Sequence, residues 1–193
     1  MGKLFYIMGK SASGKDTIYQ RLLRNPEFSL ERLVIYTTRP IRDGELDGRE
    51  YHFVTEEDFQ KLKAAGKIIE DRGYETVYGL WRYFTADNMD LEEKNYLGIG
   101  TLESYEKLKA YYGEEKIRPI YIEVEDGERL SRALNRERMQ ESPKYEELCR
   151  RFLADAKDFS EEKLNEAGIT RRFVNQDLNE TEEEIRRVIL ENR

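Results

Sequence analysis

An α/β fold, three layers built on a parallel five-stranded sheet, is predicted for this 193-residue chain. Two observations predict it. Short apolar runs rich in Ile, Val, Leu and Tyr recur at Leu4 to Met8, Leu33 to Tyr36, Tyr96 to Ile99, Ile117 to Val124 and Phe173 to Val174. Helix-period patterns separate most of them, as crossovers between parallel strands require. One stretch, residues 37–93, is too long for a plain crossover and too patterned for a linker. It reads as an insertion into a single domain whose core is residues 1–36 and 94–193.

The first predicted strand, Leu4 to Met8, runs directly into Gly9, Lys10, Ser11, Ala12, Ser13, Gly14, Lys15, Asp16 and Thr17. Gly9, Gly14 and Lys15 fit the spacing G-x-x-x-x-G-K-[ST], and Asp16 stands where the pattern has a hydroxyl residue. A helix over Thr17 to Leu23 is expected to follow. In that context the backbone N–H groups of the turn and of the helix N-terminus face a nucleotide's phosphates, and Lys15 reaches the outer ones. The expected architecture is thus a P-loop fold. The loop serves a kinase, an ATPase or a GTPase equally well.

Within the insertion, turn signals at Asp43-Gly44 and Asp47-Gly48 and several aromatics surround one helix-like piece, Thr55 to Ala65. This segment is expected to fold over the phosphate loop and bind a second substrate. A helix over Asp126 to Arg138 places Leu130, Ala133 and Leu134 on one face. Another begins near Lys144, past Pro143, with a stripe of Tyr145, Leu148, Phe152, Ala156 and Phe159. The last begins near Asn179 or Thr181, with Glu182, Glu183 and Glu184 in a first turn whose dipole favours anions.

With 38% hydrophobic and 38% charged residues, the composition is that of a soluble globular chain, with no run long enough to span a bilayer. No secretory leader is apparent at the start, so a cytoplasmic location is expected. The single cysteine, Cys149, excludes an intramolecular disulfide, and the single histidine, His52, leaves a His-based zinc site without a second histidine. A net charge of −7 argues against a nucleic-acid surface, so local arginines must carry any anion binding.

Thr37 to Phe53 gathers Arg39, Arg42 and Tyr51 in one short irregular segment. Two guanidinium forks and a phenol are suited to a second phosphate, because guanidinium binds oxyanions in charge-assisted, often bidentate fashion. Here the chain resembles the guanylate kinase family. The resemblance lies in Thr37-Thr38-Arg39, Arg42, Gly44-Glu45, Gly48, Glu50-Tyr51 and Phe53-Val54, with further matches at Ile69-Glu70, Tyr78-Gly79, Val174-Asn175 and Asp177.

That resemblance implies ATP and Mg²⁺ as cofactors, small nucleotides as substrates, transfer of a phosphoryl group to GMP, and a monomer or homodimer with no nucleic-acid or membrane partner. It implies that Arg39, Arg42, Tyr51 and Tyr78 bind the acceptor phosphate and that Glu70 accepts hydrogen bonds from guanine. It places Arg136 and Arg138 in a lid at about residues 136–143, either being the catalytic one, with Arg151 on the next helix and Asn175 at the adenine. With Lys15, these arginines would neutralise the moving group, and closure would exclude water.

Several positions depart from the family pattern. A strand that reads L-D-I-D in the family is Leu97-Gly98-Ile99-Gly100, and two small hydroxyl residues that help read guanine align with Ile35 and Leu80. Asp16 and Thr17 are the expected metal ligands, Asp16 replacing the strand carboxylate; its alternative role is a helix cap. The ending Gly14-Lys15-Asp16-Thr17 also resembles ribose bisphosphokinase, which lacks this acceptor segment. A P-loop kinase with another phosphorylated acceptor and a catalytically weak binding module are the alternatives.

Overall fold

The computed structural model describes residues 2–76 and 78–192; Met1, Val77 and Arg193 lie outside it. Its central sheet has five parallel strands in the order β2-β7-β1-β8-β9: β1 (Leu4–Met8), β2 (Leu30–Arg32), β7 (Asn95–Ile99), β8 (Ile117–Glu123) and β9 (Arg172–Val174). Every residue of β1 is buried, as expected of a strand covered on both faces. Alternation sends Leu4, Tyr6 and Met8 into one cluster with Tyr105, Leu108 and Phe159. Phe5 and Ile7 enter the opposite one with Ile18, Leu22, Phe173, Ile185 and Ile189. Helices α1 (Lys15–Arg24) and α7 (Leu178–Glu191) supply that second layer, and α3 (Leu102–Tyr112) the first.

A second sheet lies between β2 and β7 in sequence, ordered β4-β3-β6-β5, from β3 (Tyr36–Thr37), β4 (His52–Phe53), β5 (Ile68–Thr76) and β6 (Gly79–Ala86). β3 and β4 are parallel, while β6 runs antiparallel to both β3 and β5. Helix α2 (Glu56–Ala64) packs Phe59 against Phe84 and Ala86. Thr55 and Asp58 form a capping box at its start.

The remaining helices are α4 (Asp126–Arg138), α5 (Tyr145–Asp158) and α6 (Glu161–Glu166). No helix among the described residues is long and apolar enough to cross a membrane.

Several expectations are corrected. The run Leu33 to Tyr36 is not one strand: the core strand ends at Arg32, and Tyr36 already belongs to the second sheet. The chain uses this apolar stretch to cross between two cores, and Leu33 anchors in one of them. The long β5–β6 hairpin was hidden by its charges and glycines. In α4 the inward face carries Arg129 and Ala133, while Leu130 is exposed. Of the stripe assigned to α5 only Phe159, just past the helix end, joins a core cluster; no residue within α5 is buried and Tyr145 is exposed. Leu148 and Phe152 instead line a cavity. The last helix starts at Leu178 with Asp177 as its cap, so Glu180, and not Glu182 to Glu184, occupies its first turn.

Candidate active site

The glycine turn sits at the carboxyl end of β1, the central strand, where open α/β sheets place their ligands. Gly9 is tightly enclosed: a Cβ there would come within 2.5 Å of the Ile122 carbonyl and 2.9 Å of Ser13 Oγ. Gly14 is the N-cap of α1, with φ of 86° and its Cα facing the Asn175 amide. Only glycine adopts that geometry without strain.

Thr55, Thr101, Glu125, Ser160 and Asp177 cap their helices with side chains, whereas α1 and α5 have no side-chain cap. The first-turn N–H groups of α1 therefore keep their donor capacity, beside Lys15. Asp16 is not the cap. It lies in the first turn, 3.6 Å from Lys15 Nζ, with its side chain 82% exposed.

The loop is held from behind. Asn175, buried, donates from Nδ2 to the Ser13 carbonyl at 2.8 Å. Asp155 Oδ2 accepts from the Ser11 amide at 2.7 Å. Arg129, only 1% exposed, donates to the Ser11 carbonyl, Asp155 and Asp126, and its guanidinium stacks on the Phe152 ring at 4.2 Å. Lys10 pairs with Asp126 at 3.2 Å. Sequence reasoning missed Arg129 and Asp155. A signal existed, since Arg129 and Ala133 stand four apart on one helix face.

Arg136 and Arg151 line one cavity of about 180 Å³ together with Ser11, Arg129, Lys144 and Phe152, and Arg151 donates to Ser11 Oγ at 3.3 Å. Arg138 is exposed at the end of α4 and is not among the lining residues. A second groove of about 310 Å³, lined by Glu128, Arg132, Asn175 and Gln176, lies beside the loop.

The acceptor segment closes on itself. Arg39 is buried and forms a bidentate pair with Glu45, at 2.8 and 3.0 Å. That guanidinium holds the Glu45 carboxyl below the usual carboxylate range. The guanidinium of Arg39 also stands over the Tyr51 and Phe53 rings. The Arg42 amide donates to Glu45, leaving its exposed guanidinium at the surface.

Tyr51 lines a cavity of about 420 Å³ with Ile35, Arg72, Tyr74, Trp81 and Tyr83. Tyr78 is set apart from this group: it is 82% exposed at the hairpin tip, stacked on Trp81. Glu70 is buried, with Oε1 accepting from Thr85 Oγ1 at 2.8 Å and Oε2 3.3 Å from Arg72 Nε. Leu80 is exposed on β6, outside that cavity lining.

Gly98 and Gly100 are explained by Tyr6. A Cβ at Gly98 would lie 2.7 Å from the Tyr6 ring, and one at Gly100 would strike the Tyr6 hydroxyl. Tyr6 is register partner to Gly98 on the neighbouring strand, so the phenol fills the volume that side chains at the end of β7 would need. Burial, reinforced by the Glu70 carboxylate, pushes its pKa up, and it hydrogen-bonds with Ser104.

Among the described residues no group of three or more His, Cys, Asp or Glu side chains could hold a metal by itself. One carboxylate and one hydroxyl beside a phosphate loop, Asp16 and Thr17, nevertheless suit Mg²⁺, which keeps waters and binds through substrate phosphates.

A family model described as Guanylate kinase matches residues 1–192. A guanylate kinase from Porphyromonas gingivalis is 32% identical over 196 residues, covering 98% of this chain and 97% of that one. One from Wolbachia pipientis wMel is 30% identical, covering 97% and 89%. The crystal structure of guanylate kinase from Anaplasma phagocytophilum superimposes with a TM-score of 0.64 at 21% identity, covering 98% of this chain and 85% of that one. With a phosphate loop of the expected geometry and a family match across almost its whole length, the chain belongs to the guanylate kinase family.

Proposed function

We propose that this chain transfers the γ-phosphoryl group of ATP to a nucleoside monophosphate, GMP in the first place, yielding ADP and GDP. The observation that carries the reading is the uncapped N-terminus of α1 behind Gly14, with Lys15 beside it at the carboxyl end of the central strand. It supports phosphate binding by backbone amides in a way a mere connecting turn does not.

The residues divide the work. The amides of residues 9–17 and the Lys15 ammonium hold the β- and γ-phosphates, and Asn175 lies at the adenine side. Arg39, Arg42, Tyr51 and Tyr78 grip the acceptor phosphate, and Glu70 belongs to the base side of that pocket. An oxygen of the acceptor phosphate attacks the γ-phosphorus as its bond to the bridging oxygen of ADP breaks. Charge neutralisation and alignment supply most of the catalysis, since this chemistry needs little covalent help.

Arg136 and Arg151, which share a cavity with Ser11, are the arginines that neutralise the moving group; Arg138 is the weaker candidate. Asp16 and Thr17 would hold Mg²⁺. When bound, the ion draws charge from the phosphate oxygens.

Residues 37–93 act as the acceptor-binding insertion of a single domain, and the turn after Arg136 as its lid. Tyr78 at its hairpin tip and the exposed Arg42 would reach the phosphate only on closure, which also excludes water. The enzyme works on small nucleotides in the cytoplasm, in purine nucleotide metabolism, as a monomer or homodimer.

The test is a coupled ADP-release assay with ATP and Mg²⁺ against GMP, dGMP, AMP, CMP, UMP and ribose bisphosphate. Turnover led by GMP is the expected result; turnover with ribose bisphosphate alone, or with no acceptor, overturns the reading.

A further inference from the structure

We propose that Arg72 determines which nucleobase the acceptor pocket takes, by donating hydrogen bonds to the O6/N7 edge of a 6-oxopurine, so that hypoxanthine is accepted alongside guanine. The proposal rests on the reading of the Tyr51 cavity as the acceptor site.

Glu70, Arg72 and Tyr74 alternate along β5 and so share a face. Of the first two, Arg72 lines the cavity with Ile35, Tyr51 and Trp81, and Glu70 does not. Glu70 lies behind it with one oxygen taken by Thr85 and the other facing Arg72 Nε. The carboxylate therefore anchors the guanidinium, and the wall that meets a ligand is a fork of donors. Arg72 Nε is buried and faces Glu70, so the donors that can meet a ligand are the two terminal nitrogens of the guanidinium.

Around that fork, Tyr51, Tyr74, Trp81 and Tyr83 form aromatic walls suited to a planar base. Arginine pairs in bidentate fashion with the O6 and N7 acceptors of guanine, and adenine replaces O6 with an amine that offers only donors.

Glu70, the carboxylate that the family resemblance assigns to guanine, has one oxygen on Thr85 and the other on Arg72 and does not line the cavity, so the 2-amino group meets no comparable reader. A carboxylate from the end of β7 is ruled out by Gly98 and Gly100, whose side-chain space Tyr6 occupies. Ile35, on the cavity wall, is apolar. A site that does not hydrogen-bond a group discriminates weakly on its presence, whereas a site built to bond it rejects the analogue strongly.

The wild-type enzyme is assayed for kcat/KM with ATP and GMP, IMP, 7-deaza-GMP or AMP. The proposal expects GMP and IMP within about 100-fold of one another, with AMP on the order of 10⁴-fold lower. It expects 7-deaza-GMP, which lacks the N7 acceptor, to fall about tenfold below GMP.

Arg72→Met, with its fold checked by circular dichroism, should remove the 7-deaza penalty and narrow the gap between GMP and AMP. A merely structural role for Arg72 would lower all four acceptors alike. A GMP preference over IMP on the order of 10⁴, or wild-type indifference to N7, overturns the assignment while leaving the kinase reading intact. Absence of turnover with every monophosphate overturns both. The wild-type comparisons decide the matter even if the variant does not fold.

Discussion

Two arginines in the last turn of one helix, Arg136 and Arg138, have different surroundings, and that difference is measurable. Arg136 shares a cavity with Ser11 of the phosphate loop and Arg138 does not. Arg136→Ala should lower kcat on the order of 10²-fold with little change in the KM for ATP; Arg138→Ala should stay within about threefold of wild type. Equal losses in steady-state assays would refute the distinction.

A second contrast concerns Tyr6. Because Tyr6 is held in the core, Gly100→Ala forces its hydroxyl against a new methyl group and should cost about 1–3 kcal/mol in urea denaturation. In a Tyr6→Phe background the cost should largely vanish, a coupling that a double-mutant cycle reads directly. Additive effects would show that the ring moves aside freely.

At the scale of elements, the phosphate loop depends on helices distant in sequence. Asp155 on α5 accepts from the Ser11 amide and pairs with buried Arg129 of α4. Asp155→Ala takes the acceptor from the half-buried Ser11 amide and one carboxylate partner from buried Arg129, and should cost about 1–3 kcal/mol of stability. A KM for ATP raised severalfold should accompany it, and Asp155→Asn should recover part of both. A melting temperature and KM unchanged by the alanine would show the tether to be idle.

The loop itself was legible in the sequence because its spacing is local: a strand, two glycines, a lysine and a helix in one short run. Its tether was not, because Asp155 and Ser11 meet only through the packing of α4 and α5. For the same reason periodicity misassigned the inward face of α4. A guanidinium with carboxylate partners and an aromatic ring to stack on is buried there, while Leu130 is left at the surface. Apolar patterning also merged Leu33 to Tyr36 into one strand, since it registers burial and not which of two cores does the burying. The acceptor arginines were readable as a cluster; that Arg39 already holds Glu45 could be learned only from the fold.

For the molecule as a whole, buried phenols set an alkaline limit. Burial raises Tyr19, Tyr105 and Tyr121 to about 12, and Tyr6 and Tyr112 higher still. In the unfolded chain these groups ionise near about pH 10. Below that pH both states keep their protons and the contribution is fully present. Between about 10 and 12 the unfolded state releases protons that the folded state retains, so stability falls as pH rises. Thermal midpoints should drop steeply from about pH 10 to 12; a flat profile would show these tyrosines ionising in the native protein.

Tyr6, wedged over Gly98 and Gly100, makes three positions on two neighbouring strands interdependent. Grafting a carboxylate onto position 98 or 100 is expected to succeed only in a chain whose residue 6 has first been made smaller, because in this packing the ring occupies the space that the new side chain needs.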